Sequence, residues 1–202
     1  MRDVTTAQSP PRPPRSRGSR RAEILDAAAG LFAARGFHGT SIEDIGGAVG
    51  TSGPALYRHF SGKEALLTEM LLDVSERLHT SAADRVTEAP DAERALDALL
   101  TGQIEFALSH PALIVVHDRE LGNVPEPARR QIRRLQRLYV EEWVTVLSEL
   151  YPACPPPRLR AATHAVFGLL NSTPHSAGEL PQEAMAELLR DMARAALATA
   201  KG

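Results

Sequence analysis

The chain has 202 residues, of which 43% are apolar, with a single cysteine and a formal net charge of −2. This is enough to bury one sizeable core or two small ones, which excludes a chain that is disordered throughout. One cysteine excludes an intrachain disulfide and suits a reducing cytoplasm, and no apolar run approaches the ~18 residues of a membrane span, so we expect a cytoplasmic protein without membrane contact.

Positive charge is concentrated at the front of the sequence. Residues 1–65 carry nine Lys or Arg against six Asp or Glu, whereas the remainder carries fourteen against nineteen. Residues 1–19 are rich in proline and arginine and nearly free of large apolar side chains, which predicts a disordered basic arm. Two interpretations of this arm stay open. It is a solvated tail, or it follows a phosphate backbone or enters a minor groove through Arg12, Arg15, Arg17, Arg20 and Arg21.

Turn signals divide the chain after the arm into helical segments, and no segment alternates apolar and polar residues as a strand does. The sequence therefore predicts an all-α fold of about nine helices. The first helix, residues 20–35, repeats apolar residues at helical spacing. It is expected to end at Gly36 in a Schellman motif that brings Phe37 against Phe32.

A helix-turn-helix is predicted from residue 40 onward. The stretch GTSIEDI begins the second helix with two overlapping capping boxes, Thr40 with Glu43 and Ser41 with Asp44. A turn at Gly50 follows, and the third helix begins SGPALYRHF, with a serine cap and a proline in its first turn. Two short helices joined by a glycine turn form this motif.

The third helix has one apolar side and one side suited to nucleic acid. With Leu56 directed inward, Phe60 lies about 40° away, whereas Pro54 and Arg58 lie about 160° and 200° away. The outward side is kept small by Gly53, Pro54 and Ala55, which allows close approach to a groove. Tyr57, Arg58 and His59 then supply hydrogen-bond donors, and Lys63 adds positive charge at the next helix start. The alternative is a three-helix unit that only packs, which has no reason to expose a tyrosine.

From residue 21 to residue 67 the sequence resembles the tetracycline-repressor (TetR) family of bacterial transcriptional regulators. The resemblance rests on ILDAAAGLFAARGFHGTSIEDI, the glycine turn, and LYRHFSGKEALL. It implies that the residues matching Gly53, Pro54 and Ala55 touch base edges and that those matching Thr40, Ser41, Tyr57, His59 and Lys63 bind phosphates. The predicted DNA-binding set is Thr40, Ser41, Ser52, Gly53, Pro54, Ala55, Tyr57, Arg58, His59 and Lys63.

Three positions depart from the family pattern. Gly46 stands where the family usually has alanine and is followed by Gly47, and each glycine costs about 1 kcal/mol of helix propensity. Glu43 stands where relatives often carry a basic residue. Its role as a capping residue competes with a second interpretation, in which the carboxylate accepts from a cytosine amine.

Residues 67–202 are predicted to form an effector-binding and dimerisation domain, after a DNA-binding domain at residues 20–66. A long fourth helix leads into it, a fifth over residues 91–109 is interrupted by Gly102, and a sixth follows at HPALIVVHDREL. The seventh shows the clearest apolar period in the chain. After the break YPACPPP, an eighth helix is expected to end at Pro174. A ninth begins at Pro181, with inward positions Met185, Leu188, Leu189, Met192 and Ala196.

The last two predicted helices carry apolar residues around more of their circumference than one internal contact needs. The resemblance implies that they form a four-helix interface in a two-fold homodimer. Such a dimer presents two recognition helices about one DNA turn apart, which predicts a palindromic double-stranded DNA operator. Packing within a monomer is the alternative.

A set of aromatic and polar residues predicts a cavity for a small lipophilic effector. Its members are Phe106, Leu113, His117, Tyr139, Trp143, Phe167, Asn171 and His175. Asn171 and His175 are four residues apart, which would place them on one helical face. The alternative for each residue is ordinary core packing. The phrase GLLNSTPHS also resembles relatives that respond to acyl thioesters of coenzyme A.

Patterns typical of enzymes are missing from the sequence. No metal-binding histidine pair, glycine-rich phosphate loop or nucleophile elbow occurs, so no cofactor or metal is expected. The sequence favours a repressor that a small lipophilic molecule releases from its operator. A constitutive DNA-binding regulator, and a carrier or enzyme on the same scaffold, stay open as alternatives.

Overall fold

A computed structural model describes residues 17–176, 178 and 180–201. Within these residues the chain is all-α, as predicted, with ten α-helices and no strand. Most of the predicted arm, including Arg12 and Arg15, lies outside the described residues, and the first helix begins at Arg17. The helices are α1 (Arg17–Arg35), α2 (Ile42–Ala48), α3 (Gly53–Leu56), α4 (Lys63–Glu88), α5 (Ala92–Ser109), α6 (Pro111–Glu120), α7 (Glu126–Leu150), α8 (Pro156–Leu170), α9 (Thr173–Ser176) and α10 (Gln182–Ala198).

Helices α1 to α3 form a small head around a continuous apolar core, which includes Ile24, Phe32, Ile45, Leu56 and Phe60. Helix α1 ends at Gly36 as predicted, but not in a Schellman motif, because the Phe37 N–H donates to Glu120 rather than to the Phe32 carbonyl. Gly36 has a φ of 74°, which favours glycine, and its N–H donates to the Phe32 carbonyl at 2.9 Å. The rings of Phe32 and Phe37 lie 5.5 Å apart. The core of the head continues into α4 and α6, so packing crosses the predicted domain boundary.

Only one of the two predicted capping boxes forms at the start of α2. The Ser41 hydroxyl accepts from the Asp44 N–H at 3.1 Å, and the Asp44 carboxylate accepts from the Ser41 N–H at 2.9 Å. Hydrogen bonds from Ser41 hold the pKa of Asp44 below its usual value. The predicted capping box of Thr40 with Glu43 does not form, so that prediction was wrong. Ser41 occupies the cap position, and Thr40 turns inward, where its hydroxyl donates to the Gly36 carbonyl at 2.9 Å.

The two glycines of α2 have different surroundings. A Cβ on Gly46 would lie 2.9 Å from the carbonyl oxygen of Thr51, because α2 packs directly on the turn that leads to α3. A Cβ on Gly47 would meet no atom within 4 Å. The close approach of the Thr51 backbone therefore explains why position 46 is glycine. Nothing in the structure explains the glycine at position 47.

We expect Gly47→Ala and Gly46→Ala to change stability in opposite directions. The first should raise the free energy of unfolding by up to about 1 kcal/mol through helix propensity. The second gains the same propensity but forces backbone apart, and overpacking costs about 1–3 kcal/mol, so a net loss of about 1 kcal/mol is expected. Urea unfolding of both variants measures the difference, and equal stabilisation by both would contradict the close contact at Gly46.

The rest of the chain packs around α4, α5 and α7. Helix α7 buries Ile132, Tyr139, Trp143 and Leu147, which confirms its predicted apolar side. Helix α5 is continuous, so the predicted interruption at Gly102 was wrong. The glycine instead makes room for Arg85 of α4, since a Cβ there would lie 2.9 Å from the guanidinium Nε.

The C-terminal helices differ from the prediction in two respects. Helix α8 ends at Leu170 and a separate short α9 follows, because Thr173 turns inward and its hydroxyl donates to the Ala107 carbonyl at 2.7 Å. Pro174 thus lies within α9. On α10, Met185 and Leu189 are buried as expected, but Leu188 is 45% and Met192 47% exposed.

Within the described residues, no single helix is long and apolar enough to cross a membrane. Helices α5 and α6 pass that test of length and composition only as a pair, and the pair is bent by 87°. The same part of the chain holds no group of three or more His, Cys, Asp or Glu residues arranged to bind a metal ion.

Candidate DNA-reading face and effector cavity

The outer side of α3 carries the residues that the sequence predicted. Leu56 and Phe60 are buried and anchor the helix from behind. Ser52, Pro54 and Arg58 are exposed, Ala55 and His59 are half-buried, and Tyr57 is 55% exposed. Helix α3 ends at Leu56, which is shorter than the predicted segment, and the following residues form a turn that continues to Phe60. A large aromatic side chain and an arginine thus project from this turn, beside a helix whose outer residues are small.

Gly53 is buried rather than exposed on this face. The Glu43 carboxylate lies over it, so that a Cβ on Gly53 would come 3.2 Å from Glu43 Oε1. Gly53 therefore gives α2 and α3 room to approach each other. Thr40 requires a similar correction. It is 1% exposed and its hydroxyl is bonded within the turn, so the side chain is not available to a phosphate in this structure.

Lys63 connects the start of α4 with the turn between α1 and α2. Its Nζ donates to the Phe37 carbonyl at 2.9 Å and to the Thr40 carbonyl at 3.2 Å, and it lies 4.5 Å from the centre of the Phe37 ring. The ammonium is thus anchored, and its charge stays at the edge of a shallow depression on the head. Ser41 and Tyr57 line the same depression, so the structure brings these predicted phosphate ligands together.

Arg20 and Arg21 make contacts inside the head. Arg20 donates to the Val49 carbonyl at 2.7 Å. Arg21 forms a two-bond ion pair with Glu69, donates to the His59 carbonyl at 2.7 Å, and lies 4.3 Å from the centre of the Phe60 ring. The hydrogen bond with Glu69 raises the pKa of Arg21. The prediction that these two residues belong to a DNA-following arm does not fit this structure, because both guanidinium groups fasten α1 to its neighbours.

A cavity of about 250 Å³ lies among α4, α5, α6, α7 and α8. Six of the eight predicted effector residues line it, namely Phe106, Leu113, His117, Tyr139, Phe167 and Asn171. Prediction missed several other lining residues, of which Gln103 is the most informative. It interrupts the apolar side of α5 with a buried amide, and that interruption is visible in the sequence.

Trp143 and His175 do not line the cavity. Trp143 is fully buried and lies edge-on behind Phe167, with ring centres 5.1 Å apart. His175 is exposed on α9. Its expected alignment with Asn171 required one continuous helix, and α8 ends at Leu170 instead.

A chain of polar side chains runs along the buried wall of the cavity. The Tyr139 hydroxyl donates to Gln103 Oε1 at 2.8 Å, and Gln103 Nε2 donates to Asn171 Oδ1 at 2.8 Å. Burial raises the pKa of Tyr139, so it is a neutral donor at physiological pH. Elsewhere in the lining, His117 bonds Gln136 and lies 3.6 Å from the Asp118 carboxylate, which is exposed.

Helix α6 contacts both the cavity and the head. Leu113, Ile114 and His117 form part of the cavity wall. At the end of the same helix Glu120 is 7% exposed, and its Oε1 accepts from the Phe37 N–H at 3.1 Å. Its Oε2 accepts from Asn123 Nδ2 at 2.7 Å. A buried carboxylate therefore joins α6 to the turn that precedes α2.

The exposed side of α8 and α10 carries two stripes of small and apolar residues. These helices pack on each other, and their outward residues recur at spacings of four and three. The stripes consist of Ala161, Ala165 and Gly168 on α8, and Leu188, Met192 and Ala195 on α10.

Comparison with known proteins connects these features to one family. Residues 24–70 match the family model described as "Bacterial regulatory proteins, tetR family", and residues 89–197 match "Tetracyclin repressor-like, C-terminal domain". The HTH-type transcriptional repressor KstR2 of Rhodococcus jostii is 33% identical over 132 residues, which are 65% of this chain and 65% of that protein. The matched segment thus spans slightly less than two thirds of that relative.

Solved structures with the same fold cover more of the chain. A TetR-family transcriptional regulator from Bordetella parapertussis has a TM-score of 0.76 at 25% identity, covering 86% of this chain and 93% of that one. The ketosteroid transcriptional regulator KstR2 of Mycobacterium tuberculosis has a TM-score of 0.77 at 22% identity, covering 91% and 96%.

Proposed function

The chain belongs to the tetR family of bacterial regulatory proteins, which are transcriptional regulators and not enzymes, and we propose that it represses transcription by binding an operator through α2 and α3. The observation that carries this proposal is the outer side of α3 and the turn after it, where Tyr57 and Arg58 are exposed while Leu56 and Phe60 are buried. A helix with this arrangement can enter the major groove and supply donors to base edges and phosphates. Because operator DNA lies in the bacterial cytoplasm, the protein acts there.

The working form is a homodimer joined through α8 and α10. Exposed apolar side chains at regular helical spacing, on two helices that pack together, support an interface with a second copy. Two-fold symmetry then presents two α3 helices to successive major grooves. The operator is accordingly palindromic or nearly so.

A small lipophilic molecule in the cavity releases the protein from DNA. Helix α6 supports this step, since it forms part of the cavity wall and also holds the head through Glu120. The ligand prefers a conformation in which the two heads do not match successive grooves, and a preference of ~2–3 kcal/mol gives a switch of order 100-fold. An acyl thioester of coenzyme A is one candidate effector. A constitutive regulator is the alternative, and it would show no thermal shift with any lipophilic ligand.

Arg58→Ala is expected to weaken operator binding without unfolding the protein. Selection from a random duplex library would first identify the operator, and titration at several salt concentrations would then compare the variants. We expect a loss of about 1–3 kcal/mol per protomer, because an exposed arginine on a reading helix contacts bases or phosphates. Affinity of the unaltered protein should fall steeply with salt, since phosphate contacts release counterions.

Arg134→Ala is the matched control for this measurement. Arg134 is also exposed but lies on α7, so the same charge is removed from outside the reading face. If both variants lost the same operator affinity, the loss would be due to net charge alone. Failure to select any sequence, or affinity that does not depend on salt, would overturn the proposed DNA binding.

A further inference from the structure

The polar chain in the cavity has a direction that determines which group faces a ligand. Tyr139 donates to Gln103 Oε1, and Gln103 Nε2 donates to Asn171 Oδ1. Because the Asn171 oxygen already accepts from Gln103, the Nδ2 group of Asn171 is the donor at the end of the chain that a ligand can reach. This nitrogen has no hydrogen-bond partner among the described residues, and Asn171 lines the cavity.

Trp143 supports this direction over the reverse one. In the reverse order Tyr139 would accept from Gln103 and Asn171 would present its oxygen. An indole N–H can only donate. That of Trp143 is buried without a hydrogen bond of ordinary geometry, and its interaction with the Tyr139 hydroxyl opposes the rise that burial causes in the Tyr139 pKa. The Tyr139 oxygen can accept from this donor in either order. In the reverse order, however, its own O–H would be buried without an acceptor among the described residues, so the proton goes to Gln103.

The charges around the cavity favour a neutral group over an anionic one at this end. No lysine or arginine lines it within the described part of the chain, and its titratable lining residues besides Tyr139 are Asp118, His117 and His164. His117 already bonds Gln136 and lies beside the Asp118 carboxylate. A carboxylate buried beside Asn171 would find no permanent positive charge in the lining to offset its desolvation. A neutral oxygen with free lone pairs, in contrast, needs only the amide donor.

The size of the cavity limits the apolar part of the ligand. An engineered cavity of ~150 Å³ holds benzene, which has six carbon atoms. Scaled by volume, the cavity of about 250 Å³ holds about ten non-hydrogen atoms in this conformation. Aromatic and aliphatic side chains such as Phe106, Leu113 and Phe167 form most of the wall, as a lipophilic ligand requires.

We propose that the Asn171 amide determines effector specificity by donating to the carbonyl oxygen of a neutral lipophile with about ten non-hydrogen atoms beside it. Ketones, esters and thioesters share this chemistry. The proposal rests on the effector role given to the cavity above. DNA binding is tested separately by operator selection, so failure here leaves that part of the function intact.

Ligand binding can be followed through Trp143, which is the only tryptophan of the chain and contacts Phe167 of the cavity wall. The probes are 2-decanone, its isostere 2-methyl-1-decene, S-ethyl thiooctanoate and decanoate. We expect Asn171→Leu to weaken 2-decanone binding by about 3- to 10-fold, the usual size of one hydrogen bond, and to leave the alkene unchanged or tighter. Loss of thioester binding alongside the ketone would show that both carbonyl sources use the same donor.

Two further variants keep the test decisive. Asn171→Asp retains the side-chain shape but replaces the donor with an acceptor, so it should also weaken the ketone if the leucine variant does not fold. Ser148→Ala removes a hydroxyl of α7 that donates to the Val144 carbonyl and does not line the cavity, so it should change neither affinity. Parallel losses for ketone and alkene, tighter binding of decanoate than of 2-decanone, or no fluorescence change with any probe would overturn the proposal.

Discussion

Replacing Leu188 and Met192 together by aspartate is expected to convert the protein to a monomer and to lower operator affinity by about 100-fold or more. Both side chains are nearly half exposed on α10 in the isolated chain, beside the small residues of α8. In a dimer they would lie at the centre of the interface, where a carboxylate loses its hydration without gaining a partner. The two heads would then bind DNA independently, and the gain in affinity from joining them would be lost.

Leu138→Asp is the control for this variant. Leu138 is also an exposed leucine on a long helix, but it lies on α7, away from the two stripes. Light scattering during gel filtration gives the mass of each variant, and titration against the selected operator gives its affinity. A dimer that survives both aspartates would show that the protomers meet elsewhere. A monomer that keeps full affinity would show that the dimer is not needed for DNA binding.

The sequence predicted those features that depend on local spacing. Apolar periodicity identified the buried side of α7, and Gly36 was recognised as a helix end because only glycine adopts its φ without strain. The exposed position of Arg58 was predicted from its angle to Leu56 on one helix, and it holds even though α3 ends at Leu56 and Arg58 lies in the turn that follows. These predictions needed no knowledge of how distant segments pack.

The errors arose where a distant contact decides between local options. Thr40 and Ser41 have equal capping chemistry, and the choice depends on which one turns toward the Gly36 carbonyl. Gly102 weakens a helix in isolation but remains in α5 because Arg85 of α4 fills the space beside it. The break after Leu170 similarly depends on the Ala107 carbonyl of α5, which accepts from Thr173.

The cavity was predicted in part for the same reason. The mixture of aromatic, apolar and polar residues identified six of its lining residues, but the sequence does not distinguish a ring at a cavity wall from one packed behind it. Trp143 is of the second kind. Gln103 and Asn171 are 68 residues apart, so their hydrogen bond becomes visible only once α5 and α8 are packed.

Glu120→Ala is expected to lower the free energy of unfolding by about 1–3 kcal/mol, because it leaves the Phe37 N–H buried without an acceptor. No other charged residue among those described is buried to the same degree, and this one joins α6 of the body to the turn that precedes α2. Amide hydrogen exchange gives the direct measurement. Protection of the Phe37 amide should fall in the alanine variant by more than the loss of global stability accounts for.

Glu120→Gln separates the hydrogen bond to the Phe37 N–H from the negative charge of the carboxylate. A glutamine oxygen can still accept from Phe37, whereas its amide nitrogen cannot accept from Asn123, so protection at Phe37 should be retained and stability only partly lost. If α6 carries the effect of a ligand to the head, the alanine variant should also show weaker release from the operator by any ligand that fills the cavity. Unchanged exchange at Phe37 together with unchanged release would show that the head is held by apolar packing alone, and the coupling would then have to pass through α4.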